Sequence, residues 1–319
     1  MMKISILGTG AYGLALSFMF HENYHNISMW TAFEEEKKML ETERRYEKVL
    51  PNIKIKEEIN FTCDMKECLE NSDLVVLAIP ANAFENVCIQ LKEYIKNQPI
   101  LIASKGIENE SIKFLHEIVL EYIPQNKVAV ISGPTFAIDM ALKEKTALTL
   151  ASQDEDTRTF IRSLLENQYL KIEETNDIIG TEVCGAYKNV VAIASGIVEG
   201  LNVSISTKCR FLTDSFKDME KLITSLGGNK ESINSYAGFG DFILTCTSDK
   251  SRNFTLGKMI GSKESKEKIN DYIKNTTIEG LYTLKSIQKI MKEKNIELSL
   301  IPILSSIIDG VDAENILNI

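Results

Sequence analysis

The sequence of 319 residues contains only three histidines, and its six cysteines include no C-x-x-C pair. His21 and His25 are four residues apart but have no carboxylate partner at metal-ligand spacing, so we expect no metal site. With so few histidines, the acid or base of a catalytic site is expected to be another residue type. The scattered cysteines are typical of reduced thiols in the core of a cytoplasmic protein.

Excess positive charge and long apolar runs are also absent. The formal net charge is −9, which argues against nucleic acid as a partner, because binding a phosphate backbone requires a basic surface. No run approaches the roughly 18 apolar residues of a membrane-spanning helix. The apolar run at residues 4–7 is too short for a secretion signal. We therefore expect a cytoplasmic protein with no membrane span, and the sequence leaves open whether it forms a homodimer.

The order of apolar segments predicts an α/β fold with two domains. Short apolar runs alternate with helical segments in the first half, as in a doubly wound parallel sheet of the Rossmann type. Beyond residue 178 we find helical segments but no convincing strand. We therefore predict a dinucleotide-binding domain over 1–178 and an all-helical substrate domain over 179–319. The predicted strands are 3–7, 27–30, 74–79, 100–103, 128–131 and 146–150, and a charged helix is predicted over 34–48.

The clearest motif is a G-x-G-x-x-G turn between the first strand and the first helix. In this context the first glycine permits the tight turn, the second lets the backbone approach a pyrophosphate, and the third lets helix and strand pack closely. The helix N-terminus adds free N–H groups and a partial positive charge. We therefore predict that NAD or NADP binds here, at Gly8, Gly10, Ala11, Tyr12 and Gly13.

Charged residues elsewhere suggest an anion site and proton chemistry, although each has an ordinary alternative. Lys105 follows a predicted strand, where a lysine can meet an anion or simply lie on the surface. Lys188 lies on a helix rich in small residues and could be an exposed packing-helix lysine. Asp241 and Thr245 are four residues apart and share a helix face. Arg252 has the planar fork that suits phosphate, although it could instead be a surface arginine that caps a helix C-terminus.

Taken together, these segments resemble the bacterial NAD(P)-dependent glycerol-3-phosphate dehydrogenases. The matching segments follow the family's order and spacing from residue 3 to about residue 285. They are GTGAYG at 8–13, AIP at 78–80, SKGIE at 104–108, ISGPTFA at 131–137, KNVVAIASGI at 188–197, GFGDFILTCTSDKSRN at 238–253 and IEG at 278–280.

The resemblance implies an oxidoreductase that interconverts sn-glycerol 3-phosphate and dihydroxyacetone phosphate, supplying glycerol phosphate for phospholipid synthesis. It implies that Lys188 is the proton donor and acceptor at the C2 oxygen, with Asp241 and Thr245 around it. The further cofactor contacts that it implies are Lys105, Ala137, Arg252 and Glu279. The substrate contacts that it implies are Lys105, Gly133, Thr135, Lys188, Asp241, Ser251, Arg252 and Asn253.

The sequence departs from the family pattern at two places. Asp214 and Ser215 replace an Arg and a Gly that the family usually carries, which questions turnover or subunit packing. The basic residue that often follows the second strand for the 2′-phosphate of NADP is also missing, because Thr31 and Ala32 follow Trp30. We therefore expect selectivity that is weak or leans toward NAD. A related two-domain hydroxyacid dehydrogenase and a catalytically weakened NAD(P)H sensor remain as alternatives.

Overall fold

The computed structural model describes residues 1–108 and 110–319 and divides into two compact units. The first unit comprises Met1–Lys105 and Leu115–Ile178, and the second comprises Gly106–Phe114 and Ile179–Ile319. The expected first domain ran unbroken from 1 to 178, so the structure differs in giving residues 106–114 to the second unit. The physical reason is apolar burial: Ile107 and Phe114 pair in a β-bridge and lie in the second unit's core.

The first unit alternates strands and helices along most of its length. Its strands are β1 (Lys3–Leu7), β2 (Asn26–Trp30), β3 (Arg45–Tyr46), β4 (Leu50–Lys54), β5 (Asn60–Thr62), β6 (Leu74–Leu77), β7 (Ile100–Ile102), β8 (Val128–Ser132), β9 (Thr146–Ala151) and β10 (Leu170–Thr175). Its helices are α1 (Ala11–Glu22), α2 (Glu34–Glu43), α3 (Met65–Leu69), α4 (Phe84–Leu91), α5 (Leu115–Tyr122), α6 (Ala137–Ala141) and α7 (Glu155–Leu165).

Within the described residues, eight of these strands form one sheet in the order β10-β9-β8-β7-β6-β1-β2-β5. The strands from β8 through β5 are parallel, whereas β9 joins β8 antiparallel and β10 is parallel to β9. Along β6, Leu74 and Val76 pack in one apolar cluster, and Val75 and Leu77 pack in another. A core therefore lies on each face, which confirms the doubly wound architecture.

The order in which strands are added to the sheet reverses at β1, although the neighbouring strands all run parallel. From β1 the chain continues to β2 on one side, and it later returns to β6 on the other side. In open α/β sheets a ligand binds at such a switch point, outside the carboxyl ends of the strands. The turns that follow β1, β2 and β6 therefore define the edge where a dinucleotide would lie.

Four strands of the first unit were not predicted. The helix expected over 34–48 ends at Glu43, because Arg44 adopts a left-handed conformation with φ of 50°. The β3–β4 hairpin follows it. The short edge strand β5 and the other edge strand, β10, complete the sheet.

The second unit is helical, as expected. Across its described residues the only β-pairing is the bridge between Ile107 and Phe114. Its helices are α8 (Ile178–Gly200), α9 (Ile205–Ser225), α10 (Asp241–Cys246), α11 (Arg252–Gly261), α12 (Lys266–Asn275), α13 (Glu279–Lys294) and α14 (Leu300–Ile308). No helix in the described part of the chain is long and apolar enough to cross a membrane.

Helices α8 and α11 approach each other closely through glycine. A Cβ added at Gly196 of α8 would lie 2.0 Å from the Phe254 carbonyl oxygen. One added at Gly257 of α11 would lie 1.8 Å from the Ile193 carbonyl oxygen. Neither contact leaves room for a side chain, so these glycines fix the spacing of the helices that carry Lys188 and Arg252.

Candidate active site

Two of the three glycines after β1 are required by the fold of the first unit. Gly8 has φ of +115°, and a Cβ there would lie 2.3 Å from the Ala78 carbonyl oxygen. A Cβ at Gly13 would lie 2.4 Å from the Gly8 carbonyl oxygen. Both glycines therefore allow the turn to pack tightly between β1, β6 and the start of α1.

Gly10 differs from its two neighbours in the motif. Apart from Gly10 and its two chain neighbours, no heavy atom of the described residues lies within 4 Å of the position that its Cβ would occupy. Gly10 is also the N-cap of α1, and as a glycine it has no side chain with which to cap this helix end. The first-turn N–H groups of a helix without such a cap suit an anion. The residues present therefore fit the pyrophosphate of a dinucleotide.

Four other residues with expected roles lie at the same edge of the sheet. The Thr135 hydroxyl donates to the Tyr12 hydroxyl at 3.3 Å. The Lys105 ammonium lies 5.7 Å from the centre of the Tyr12 ring, within cation–π distance. Gly133 directly follows β8, and Ala137 begins α6. The structure thus places a cation and two hydroxyls beside the glycine turn.

Sequence reasoning missed Glu36, a residue in the first turn of α2. Its Oε2 accepts a hydrogen bond from the Thr9 hydroxyl at 2.7 Å and another from the Thr31 hydroxyl. Burial and a hydrogen bond to Glu36 raise the pKa of Tyr46 to about 12. Glu36 therefore links the glycine turn after β1 to the end of β2. The sequence signal was a threonine in each of these two turns and a glutamate in the first turn of the helix that follows β2.

In the second unit, Lys188 is buried with a carboxylate and a hydroxyl. Its Nζ donates to Asp241 Oδ1 at 2.5 Å and to Thr245 Oγ1 at 2.9 Å, and Thr245 Oγ1 also donates to Asp241 Oδ1 at 3.2 Å. Lys188 is 6% exposed and Asp241 only 1% exposed. Lys188 is therefore not the exposed packing-helix lysine that the sequence alone allowed.

The backbone around this trio is held by further hydrogen bonds. A π-helical segment, Tyr236–Gly240, leads directly into α10 at Asp241, and such segments are frequent at functional sites. The Ser195 hydroxyl of α8 donates to the Cys246 carbonyl oxygen at 2.7 Å. The Cys246 thiol in turn donates to the Lys188 carbonyl oxygen at 3.7 Å. Burial raises the pKa of this thiol, so it remains a donor.

A chain of amides connects the residue after Lys188 to Glu279. Asn189 Nδ2 donates to Glu279 Oε2 at 3.1 Å, and Asn253 Nδ2 donates to Asn189 Oδ1 at 3.1 Å. Asn253 Oδ1 accepts from the Gly280 backbone N–H at 3.0 Å. The Asn253 side chain is therefore engaged in joining α8, α11 and α13, and it holds Glu279 at the start of α13.

Arg252 lies in the first turn of α11 and is exposed. Ser251 is the N-cap of this helix, because its hydroxyl accepts from the Phe254 backbone N–H at 3.3 Å. The N-terminus of a helix carries partial positive charge, so a guanidinium there adds to a field that favours an anion. The alternative of an arginine at a helix C-terminus does not apply. Ser251 and Asn253 frame this end of the helix.

The two departures from the family pattern are accommodated on α9. Asp214 pairs with Arg210 at 3.6 Å and with Lys217 at 3.0 Å, so its charge is balanced along its own helix. Ser215 is fully buried, and its hydroxyl has no hydrogen-bond partner among the described residues. Neither residue disturbs the hydrogen bonds of Lys188.

Comparison with known proteins identifies the family of the chain. Residues 3–158 match the family model described as NAD-dependent glycerol-3-phosphate dehydrogenase N-terminus, and residues 177–318 match the model of its C-terminus. The chain is 34% identical over 306 residues to a Fusobacterium nucleatum protein named glycerol-3-phosphate dehydrogenase (NAD(P)+). This match covers 94% of the chain and 90% of the relative.

Solved structures give the same result. The structure of glycerol-3-phosphate dehydrogenase from Coxiella burnetii has a TM-score of 0.93 and 29% identity, covering 99% of this chain and 98% of that one. The fold is shared with the Plasmodium falciparum glycerol-3-phosphate dehydrogenase, at a TM-score of 0.89 and 24% identity. That match covers 99% of this chain and 94% of that one.

Proposed function

The chain belongs to the NAD-dependent glycerol-3-phosphate dehydrogenase family, and from this premise we propose how its residues perform the reaction. The reaction is the interconversion of sn-glycerol 3-phosphate and dihydroxyacetone phosphate with NAD or NADP. The observation that carries the proposal is the buried trio of Lys188, Asp241 and Thr245. A buried ion pair is costly to build, so its presence beside a phosphate-suited helix end favours a catalytic role.

The first unit binds the cofactor in this proposal, and residues 1–178 supply the dinucleotide-binding domain. The open face at Gly10 and the N-terminus of α1 hold the pyrophosphate, with Ala11 and Tyr12 in the same turn. The bound nicotinamide supplies or accepts the hydride. The contacts implied for Lys105, Gly133, Thr135 and Ala137 remain predictions of the resemblance.

Lys188 handles the proton in the second unit, within the substrate domain over 179–319. During reduction of the ketone, negative charge develops on the C2 oxygen. An ammonium stabilises that charge and donates a proton to it. Asp241 and Thr245 fix the position of Nζ, because both accept hydrogen bonds from it. In the reverse direction the lysine accepts the proton from the C2 hydroxyl.

Arg252 holds the substrate phosphate. Its planar guanidinium presents two N–H groups to two phosphate oxygens, and the N-terminus of α11 adds favourable partial charge. Ser251 and Asn253 set the helix end that carries Arg252, and Asn189 holds Glu279 at the head of α13. Holding the phosphate fixes the C2 carbon for reaction.

The product serves as glycerol phosphate for phospholipid synthesis, and we place the reaction in the cytoplasm. The cysteines support this location. Each of the six lies in the described part of the chain and carries a free thiol, as is usual in a reducing compartment.

An assay of turnover tests the proposal. Dihydroxyacetone phosphate should drive the oxidation of NADH or NADPH, followed by the loss of absorbance of the reduced cofactor. The rate should be the same with a chelator, because the proposed chemistry uses a lysine to stabilise the oxyanion. Absence of turnover with either cofactor would contradict the proposal and favour the sensor alternative.

A further inference from the structure

Glu36 lies where the adenosine ribose of a dinucleotide is recognised in this type of fold. The relevant place is the carboxyl end of the second strand, next to the glycine turn. Here β2 ends at Trp30, and the Gly8 backbone N–H donates to the Trp30 carbonyl oxygen at 2.9 Å. Glu36 lies in the first turn of α2, and its carboxylate reaches back to both Thr9 and Thr31.

The hydrogen bonds of Glu36 orient its carboxylate but leave part of its hydrogen-bonding capacity unused. Thr9 and Thr31 both donate to the same oxygen, Oε2, and the Tyr46 side chain also hydrogen-bonds the carboxylate. A carboxylate can accept about four hydrogen bonds through its two oxygens, so capacity remains for a sugar hydroxyl. Both threonines use their single O–H on Glu36, so neither offers that proton to a phosphate.

The surrounding charge is negative as well. Glu34 and Glu35 share the first turn of α2 with Glu36, where the helix dipole stabilises carboxylates. Of the two cations that follow, Lys37 lies 3.6 Å from Glu41 in an ion pair, and Lys38 is exposed to solvent. A 2′-phosphate brought to this turn would therefore approach carboxylates, and like charges at short range repel.

We propose that Glu36 selects NAD over NADP by accepting the ribose 2′-hydroxyl and repelling a 2′-phosphate. This inference rests on the proposed use of a nicotinamide dinucleotide. It replaces the weak selectivity expected from the missing arginine with a definite preference, and it assigns that preference to one side chain.

Equilibrium binding without substrate tests the inference independently of catalysis. Isothermal titration calorimetry with NADH and NADPH should show that the wild-type protein binds NADH at least roughly tenfold more tightly, as expected for one hydrogen bond to a charged group and one repulsion. In Glu36→Gln the ratio should fall to about threefold or less, with NADPH binding more tightly than in the wild type. The matched control is Glu35→Gln, which removes one exposed charge from the same turn and should leave the ratio unchanged.

The ratio separates selection from a merely structural role. If Glu36 only braced the two turns, its replacement would weaken NADH and NADPH equally, and the inference would be wrong. A wild-type protein that binds NADPH as tightly as NADH would overturn it without any variant. Turnover of dihydroxyacetone phosphate is measured in parallel. Selective binding without turnover would contradict the proposed function alone, and turnover with an unaltered ratio in Glu36→Gln would contradict this inference alone.

Discussion

The two units build their functional regions from different parts of the polypeptide. In the first unit the glycine turn presents backbone N–H groups, and the space beside its middle glycine, Gly10, is open. In the second unit the trio of Lys188, Asp241 and Thr245 consists of buried side chains that bond to one another. Binding a pyrophosphate needs only fixed dipoles, whereas moving a proton needs a titratable group.

The difference also sets how each region depends on the rest of the chain. The glycine turn is complete within six consecutive positions, from Gly8 to Gly13. Lys188 and Asp241 are 53 residues apart in sequence and meet only because α8 and α10 pack together. A substitution at Gly10 should therefore affect cofactor binding and little else, whereas a substitution in the trio should affect both chemistry and stability.

Removing Lys188 should give the largest effect on turnover. Lys188→Ala should lower kcat by about 10²–10⁴-fold, because a positioned general acid contributes about that much. The Kd for NADH should be nearly unchanged. The variant would then lose turnover, which depends on the second region, and keep cofactor binding, which depends on the first. The control is Lys208→Ala, since Lys208 pairs with Glu199 at 2.5 Å in the same unit. Near-normal turnover in Lys188→Ala, assayed below its melting temperature, would refute the catalytic assignment.

Replacing glycines in the turn should show that its parts have different tasks. Gly10→Ala should keep the free energy of unfolding within about 0.5 kcal/mol, because the added Cβ meets open space. It should weaken NADH binding by roughly tenfold or more, because that space is needed by the pyrophosphate.

Gly13→Ala should behave in the opposite way. Its Cβ would lie 2.4 Å from the Gly8 carbonyl oxygen, so we expect a loss of about 1–3 kcal/mol in unfolding free energy. Urea unfolding and calorimetry measure both quantities. Wild-type NADH affinity in Gly10→Ala would show that the cofactor does not approach this face.

Arg252→Lys should reveal whether the second region recognises geometry as well as charge. We expect the KM for dihydroxyacetone phosphate to rise by roughly tenfold, because lysine offers a point charge in place of a planar fork. Unphosphorylated dihydroxyacetone should respond less, since it has no phosphate to bind. Arg210→Lys, on the exposed part of α9, serves as the control. An equal loss on both substrates would remove Arg252 from the phosphate site.

The smallest effect should come from Ser215, whose buried hydroxyl has no partner in the part of the chain that the structure describes. Ser215→Ala should raise the free energy of unfolding by up to about 1 kcal/mol, because an unsatisfied polar group is removed. Ser195→Ala provides the matched contrast, since its hydroxyl donates at 2.7 Å, and should lose about 1 kcal/mol. Thermal melts compare the two. A Ser215→Ala variant less stable than the wild type would indicate that this hydroxyl is used.

The sequence predicted those elements whose signal is local. The buried strands β6, β7 and β8 are continuous apolar runs, so their composition alone identified them. Of the β3–β4 hairpin, β3 fell within the helix predicted over 34–48 and β4 was not predicted, because the helix ends at a left-handed Arg44 that composition does not mark. Both edge strands, β5 and β10, mix polar and apolar residues and are defined by their pairing with a neighbour.

The candidate site was predictable to a similar extent. The glycine turn was identified from the order of strand, turn and helix. Asp241 and Thr245 were correctly placed on one face of a helix, and the structure shows the hydrogen bond between them. That Lys188 joins them could be expected only from the resemblance, since no local pattern connects α8 to α10. Glu36 was missed because its side chain points back toward the turns that hold Thr9 and Thr31, and the sequence does not show the direction of a side chain.

The segment Gly106–Phe114 gives the molecule an unusual order of assembly. Because this segment belongs to the second unit and lies inside the sequence of the first, neither unit is one continuous piece of chain. During synthesis the ribosome delivers residues 106–114 well before the helices that will surround them. Domains usually fold as they emerge, N-terminal first. We therefore expect the second unit to pack around a segment of a chain whose first unit is already largely folded. A chimera that exchanges either unit requires cuts at 105, 114 and 178.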